Sequence, residues 1–148
     1  MIVGIKSGCY TLFHGGHFWM LEQCAKQCHY LIALTNDDDY VMKKKRFIAI
    51  PAEERLLILQ HHDCVNEAHM FHGDTEHEWI KNFVENRLEQ QFGRDAILRV
   101  FHSEELKDQE WVPGQGYAHD ITFVPKQSSP YQTSVTEMCK RIRGDSSE

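Results

Sequence analysis

Ile2-Val3-Gly4-Ile5-Lys6-Ser7 runs straight into Gly8-Cys9-Tyr10-Thr11-Leu12-Phe13-His14-Gly15-Gly16-His17. A short apolar run leads into a turn rich in glycine and histidine. Phe18, Leu21, Ala25 and Cys28 then recur at helical spacing, which makes a strand–turn–helix unit. In an open α/β sheet such a turn lies outside the carboxyl ends of the strands, where ligands bind. The glycines let the backbone approach a ligand closely. The helix start offers free N–H groups and a positive dipole end to an anion. His14 and His17 stand three residues apart across the turn, so both rings can meet one phosphate. Neutral or protonated, each imidazole has an N–H to donate to a phosphoryl oxygen. That suits the charge that develops during phosphoryl transfer.

Outward from this unit, strand-like and helix-like segments alternate. Residues 30–35, Tyr-Leu-Ile-Ala-Leu-Thr, form a continuous apolar run, as buried parallel strands do. Asn36 to Asp39 caps or turns the chain, and the basic run Lys43-Lys44-Lys45-Arg46 follows. Pro51-Ala52-Glu53-Glu54-Arg55 reads as a helix start, with proline set for the first turn and acids at the positive dipole end. Leu56, Leu57 and Leu59 supply its apolar face. Residues 64–71 make a weaker strand. Residues 76–92 make an amphipathic helix with Trp79, Ile80, Phe83, Val84 and Leu88 on one side. Residues 96–101 and 121–124 read as further strands, with Gly116 and Tyr117 in a loop between them. Residues 133–142 close the chain as a helix before a polar tail. The alternation predicts one α/β domain over residues 1–148 with a parallel sheet.

Composition narrows the function classes. The 148 residues carry 16 Lys and Arg against 22 Asp and Glu, a net charge of −6, and ten histidines. Bulk nucleic-acid binding relies on clustered cations and is disfavoured, whereas a local basic site for a small anion is compatible. Hydrophobic residues at 41% argue against disorder. No apolar stretch is long enough to span a bilayer, and the first residues lack the pattern of a signal peptide. Five scattered cysteines fit reduced thiols in a cytoplasm better than a disulfide framework. Cys24 and Cys28 lie four apart and read as core-packing thiols. His14 and His17 alone are a weak zinc signal, because zinc wants a third and fourth ligand. His29, His61, His62, His69, His72 and His77 stand at no recognised ligand spacing, and exposed surface is their plainer reading.

Gly8 to His17 resembles the Gly-Thr-Phe-Asp-x-x-His-x-Gly-His signature of the cytidylyltransferase-like nucleotidyltransferases. The likeness continues through residues 35–40, the lysine run and residues 51–59. It returns in Thr133-Ser134-Val135-Thr136-Glu137-Met138 with Arg141-Ile142, which is similar to the family's Ile-Ser-Thr-Thr motif and following helix. Within the family the glycerol-3-phosphate cytidylyltransferases are most alike. The resemblance implies a Rossmann-like three-layer sandwich with a central parallel sheet. It also implies attack of a phosphorylated alcohol on the α-phosphate of a nucleoside triphosphate, with release of pyrophosphate. His14 and His17 would then stabilise the transition state, and Lys44 would hold phosphates of nucleotide and substrate. Arg55 would organise the substrate site. Gly8, Cys9, Tyr10 and Gly16 would line the nucleotide, and Ser134 and Thr136 would bind its β- and γ-phosphates. Magnesium would accompany the triphosphate, no protein side chain being assigned to it, and a homodimer is expected. Thr11 stands at the signature's Asp, and Ser129 and Gln132 at the arginine and glycine before the last motif, with Lys126 the nearest cation. His102-Ser103-Glu104-Glu105 replaces a Gly-Asp-Asp-like segment and is reminiscent of some adenylyltransferases. An adenylyltransferase acting on a sugar phosphate or mononucleotide is therefore an alternative, as is a nucleotide-binding protein of weakened activity. Trp111, Tyr117 and Tyr131 can stack on a base or simply pack.

Overall fold

A computed structural model describes residues 1–144. Its sheet has five strands, all parallel, in the order β3-β2-β1-β4-β5. These are β1 (Ile2–Gly8), β2 (Tyr30–Asn36), β3 (Glu67–Phe71), β4 (Ile97–Ser103) and β5 (Asp120–Val124). This is the expected Rossmann-like α/β architecture. Both faces are covered, so β2 is buried at six of seven positions and reads as an unbroken apolar run.

Strand side chains alternate between the faces. Val3, Ile5, Ile32, Leu34, Leu98 and Val100 join Ile80 and Phe83 in one core. Leu31, Ala33 and Phe101 join Leu21, Cys24 and Leu59 in the other. The first core lies under α4 (Glu76–Phe83), which passes through one π turn (Val84–Leu88) into α5 (Glu89–Phe92). The second lies under α1 (Gly15–Ala25) and α3 (Ala52–Gln60). At Gly4 the segment after α1 and β4 both close in: a Cβ there would stand 2.8 Å from Cys28 Sγ and 2.7 Å from Phe101 Cε2. The connection from β1 to β2 runs over one face and that from β3 to β4 over the other. The switch point therefore lies at the carboxyl ends of β1 and β4.

Several expected elements differ in detail. The lysine run is the last turn of a helix, α2 (Asp38–Lys45). Asp37 caps it through Oδ1, which accepts from Tyr40 N at 2.9 Å. Acids open it and lysines close it, as its dipole favours. In α3 the inward stripe is Ala52, Arg55 and Leu59, while Leu57 is 53% exposed. The strand expected over 64–71 is only Glu67–Phe71, and the last helix, α6, is Val135–Arg143. The polar tail beyond residue 144 lies outside the described residues. Among them, no helix is long and apolar enough to cross a membrane.

Candidate active site

A cavity of about 290 Å³ opens at the switch point. Its wall takes Lys6 and Gly8 from β1, Cys9 and Tyr10 from the turn, and His14, Gly16 and His17 from the start of α1. Ser103, Lys126, Ser129, Ser134 and Thr136 close it from the other half of the chain.

The two histidines hold each other in place. His14 is the N-cap of α1, and its Nδ1 accepts from Gly16 N at 3.1 Å. His17 reaches back so that its Nδ1 accepts from His14 N at 3.3 Å. Their ring centroids are 3.9 Å apart. With both Nδ1 atoms accepting, each proton sits on Nε2. Among the described residues neither Nε2 has a protein partner, so two N–H donors remain for a ligand. Burial first, then His14, Lys6, Lys126 and Lys45, push the His17 pKa down to about 3. His14 is lowered too, by burial and by Lys126. At neutral pH both rings are neutral donors.

The turn is braced from behind. Tyr10 has a φ of +50°, a left-handed backbone that costs a non-glycine residue about 1–2 kcal/mol. Its buried ring stacks on Phe13 at 5.0 Å and meets His17 edge-on at 5.3 Å. Gly16 leaves no room for a side chain. A Cβ there would stand 2.9 Å from His14 Cε1 and 3.0 Å from its Nδ1. Gly16→Ala should therefore turn His14 off its cap and lower kcat about tenfold or more. Steady-state turnover beside a melting temperature lowered by no more than the loss of one cap checks this, and wild-type kcat in the variant would refute it.

Not every candidate side chain reaches the cavity. Lys45 lines it, whereas Lys44 lies with Nζ 5.7 Å from the Tyr40 ring centroid. Arg55 is fully buried beneath the turn. It donates to Ile50 O at 2.9 Å, Cys9 O at 2.7 Å, Thr35 Oγ1 at 2.9 Å and Asp38 Oδ1 at 2.8 Å. It ties the turn to β2 and α2 and does not line the cavity. Cys9 does line it, with Sγ 3.4 Å from Asn36 Oδ1. Ser134 caps α6, its Oγ accepting from Glu137 N at 3.1 Å. Ser129 is buried and exchanges hydrogen bonds with the Tyr131 backbone. Thr11 is 2% exposed, and its hydroxyl has no partner among the described residues.

Lys6, the place of Ser103 in the wall and the approach of Lys126 to α1 follow only from the fold. The signal at Lys6 was a cation inside an otherwise apolar strand. Most other histidines act locally. His29, His62, His77 and His119 each accept a backbone N–H through Nδ1, and His102 is buried against Pro113 O at 2.8 Å. Trp111 is half exposed beside His77, which Tyr117 also meets. Tyr131 lies against Gly15.

Among the described residues the cavity wall carries three lysines and no carboxylate. Among the described residues no group of three or more His, Cys, Asp or Glu side chains is placed to hold a metal. The arrangement suits a polyanion that brings its own charge into a basic, donor-rich cleft.

The cytidylyltransferase-like family profile matches residues 5–99. That span holds the histidine turn, α2 and Arg55, and it ends before Ser103, Lys126 and Ser134. Among solved structures, the lipopolysaccharide core biosynthesis protein from Thermoplasma volcanium GSS1 superposes with a TM-score of 0.58. The overlap covers 84% of this chain and 98% of that one at 16% identity, a likeness of fold. No curated protein sequence matches the chain.

Proposed function

Because the chain belongs to the cytidylyltransferase-like family, we propose that it transfers a nucleotidyl group, cytidylyl by preference, from a nucleoside triphosphate to a phosphorylated small alcohol. This is the glycerol-3-phosphate cytidylyltransferase type of reaction. The observation that carries the proposal is the pair of Nε2–H donors on His14 and His17, held by reciprocal caps in a lysine-lined cavity. The acceptor phosphate oxygen attacks Pα as the bond from Pα to the bridging oxygen breaks, and pyrophosphate leaves with the electron pair. The histidines donate to the oxygens on which charge builds. Lys45 and Lys126 offset the charge of the triphosphate, and the start of α6 at Ser134 and Thr136 offers N–H groups to its outer phosphates. Lys44 and Arg55, by family resemblance, belong to the acceptor side, Arg55 acting by holding the turn.

Magnesium, in the same proposal, travels with the triphosphate. Among the described residues the wall offers it no carboxylate, and no protein ligand is assigned to it. A homodimeric, cytoplasmic, single-domain enzyme is the setting this reading assumes.

The test pairs CTP, ATP, GTP and UTP, each with magnesium, with a panel of phosphorylated alcohols, and follows pyrophosphate release. Release with CTP and one acceptor is expected. Release with ATP alone and a mononucleotide or sugar phosphate would make the chain an adenylyltransferase. Thermal shift separates the nucleotides independently, since a ligand at 100 times its Kd stabilises by about 2.7 kcal/mol. Triphosphate binding without release in any pair would leave a nucleotide-binding protein and sink the transfer.

A further inference from the structure

Lys6 sits on β1, the central strand of the sheet. By strand alternation it shares a face with Gly4, the face covered by α1. Its side chain is half-buried and lines the cavity beside His17. Lys126 has Glu105 at 3.5 Å, and Lys45 is exposed at the end of α2. Lys6 has neither relief. Among the described residues no carboxylate pairs with it, and its Nζ makes one hydrogen bond, to Ser7 O at 2.5 Å. An ammonium has three N–H donors, so two are left over. A half-buried ammonium that lines the cavity keeps those donors for whatever fills it. The missing counter-charge is supplied when an anion fills the cavity.

The position narrows which part of the anion that is. Lys6 enters from the floor, at the carboxyl end of β1. Ser134 and Thr136 stand at the start of α6, and His14 and His17 at the start of α1. Lys6 and His17 line the same cavity, and the ammonium is one of the charges, after burial and His14, that lower the His17 pKa. A phosphate that meets His17 Nε2–H is therefore also within the field of Lys6.

Building on the reaction proposed above, we infer that Lys6 is a catalytic residue that donates to the α-phosphate alongside His17. As the new Pα–O bond forms and pyrophosphate leaves with the electron pair, Lys6 offsets charge on the non-bridging oxygens. It keeps its own proton throughout. Neither the histidine signature nor the lysine run assigns it this role.

Lys6→Met keeps the length of the side chain and removes the charge. It should lower kcat by at least 100-fold, the loss typical of one transition-state donor, with the KM for the triphosphate within about fivefold of wild type. Lys6→Arg restores a cation and should recover at least tenfold of that kcat. A fall in kcat below tenfold, a loss confined to KM, or no gain from Lys6→Arg would each overturn the assignment. If Lys6→Met does not fold, Lys6→Gln is read for the same split. The wild-type chain is assayed in parallel. Wild-type turnover with an unimpaired Lys6→Met overturns Lys6 alone, whereas no wild-type turnover with any triphosphate overturns the reaction and Lys6 with it.

Discussion

His17→Ala is expected to lower kcat by about 10²–10³, the cost of removing one preorganised donor from developing charge. Triphosphate affinity should change far less, because three lysines and the α6 start still face the cavity. Single-turnover pyrophosphate release against calorimetric CTP binding separates the two, and a near-normal rate would show that His17 is not a catalytic donor. His14→Ala should lose as much rate and also stability, because His14 caps α1. Loss of an N-cap costs about 1 kcal/mol, or roughly 2–4 °C in Tm for a chain of this size. His14→Asn divides the roles, since asparagine caps well but brings no imidazole. It should recover the Tm of His14→Ala and none of its rate. The depressed His17 pKa adds a pH signature. Below the ordinary value of 6.5 the unfolded chain binds a proton that folded His17 refuses until about pH 3. Stability therefore falls as pH drops through that window, and His17→Ala should flatten this part of the profile.

Arg55→Ala is expected to be the most destabilising single change. It takes a donor from Cys9 O, Ile50 O and Thr35 Oγ1, leaving Cys9 O only the long 3.4 Å bond from Thr35 Oγ1, and leaves a side-chain-sized gap in α3's inward face. Breaking a buried pair costs about 3–5 kcal/mol. The lower end applies here because the Asp38 side chain is 43% exposed and keeps its water. About 3 kcal/mol corresponds to a Tm fall near 10 °C. Arg55→Lys should rescue little, since a compact ammonium cannot reach four acceptors spread around a planar guanidinium. Turnover should fall in both variants through the loosened turn. Thermal unfolding by circular dichroism reads the effect, and a shift under about 3 °C would mean that Arg55 is not the brace of the turn.

The histidine site was legible because its parts are neighbours along the chain. His14, Gly16 and His17 lie within one helical turn, so the spacing already places them on one cap. The strands were legible because a parallel strand buried on both faces is apolar throughout, as residues 30–35 are. Helix α2 was harder to see. Only Val41 is buried in it, so no apolar period marks it, and it stands on the Asp37 cap and on charges that suit its dipole. How Arg55 would organise the site was hidden for a related reason: its four acceptors, Cys9 O, Thr35 Oγ1, Asp38 Oδ1 and Ile50 O, come from segments that only the fold brings around it.

From the amino-acid sequence alone came a parallel α/β chain with an anion-binding turn at the end of its first strand. Local spacing and hydrophobic pattern determine both, because caps, turns and strand faces are settled by residues within a few positions of one another. Which cations reach the phosphates was decided only by the tertiary structure. Lys45 rather than Lys44 faces the cavity because adjacent helical positions do not share a face, and the docking of α2 selects one. Arg55 is taken up by four acceptors beneath the turn, and Lys6 pairs with no carboxylate among the described residues, carried as it is on the face of the sheet beneath α1. Those outcomes depend on segments tens of residues apart, and no spacing within the sequence encodes them.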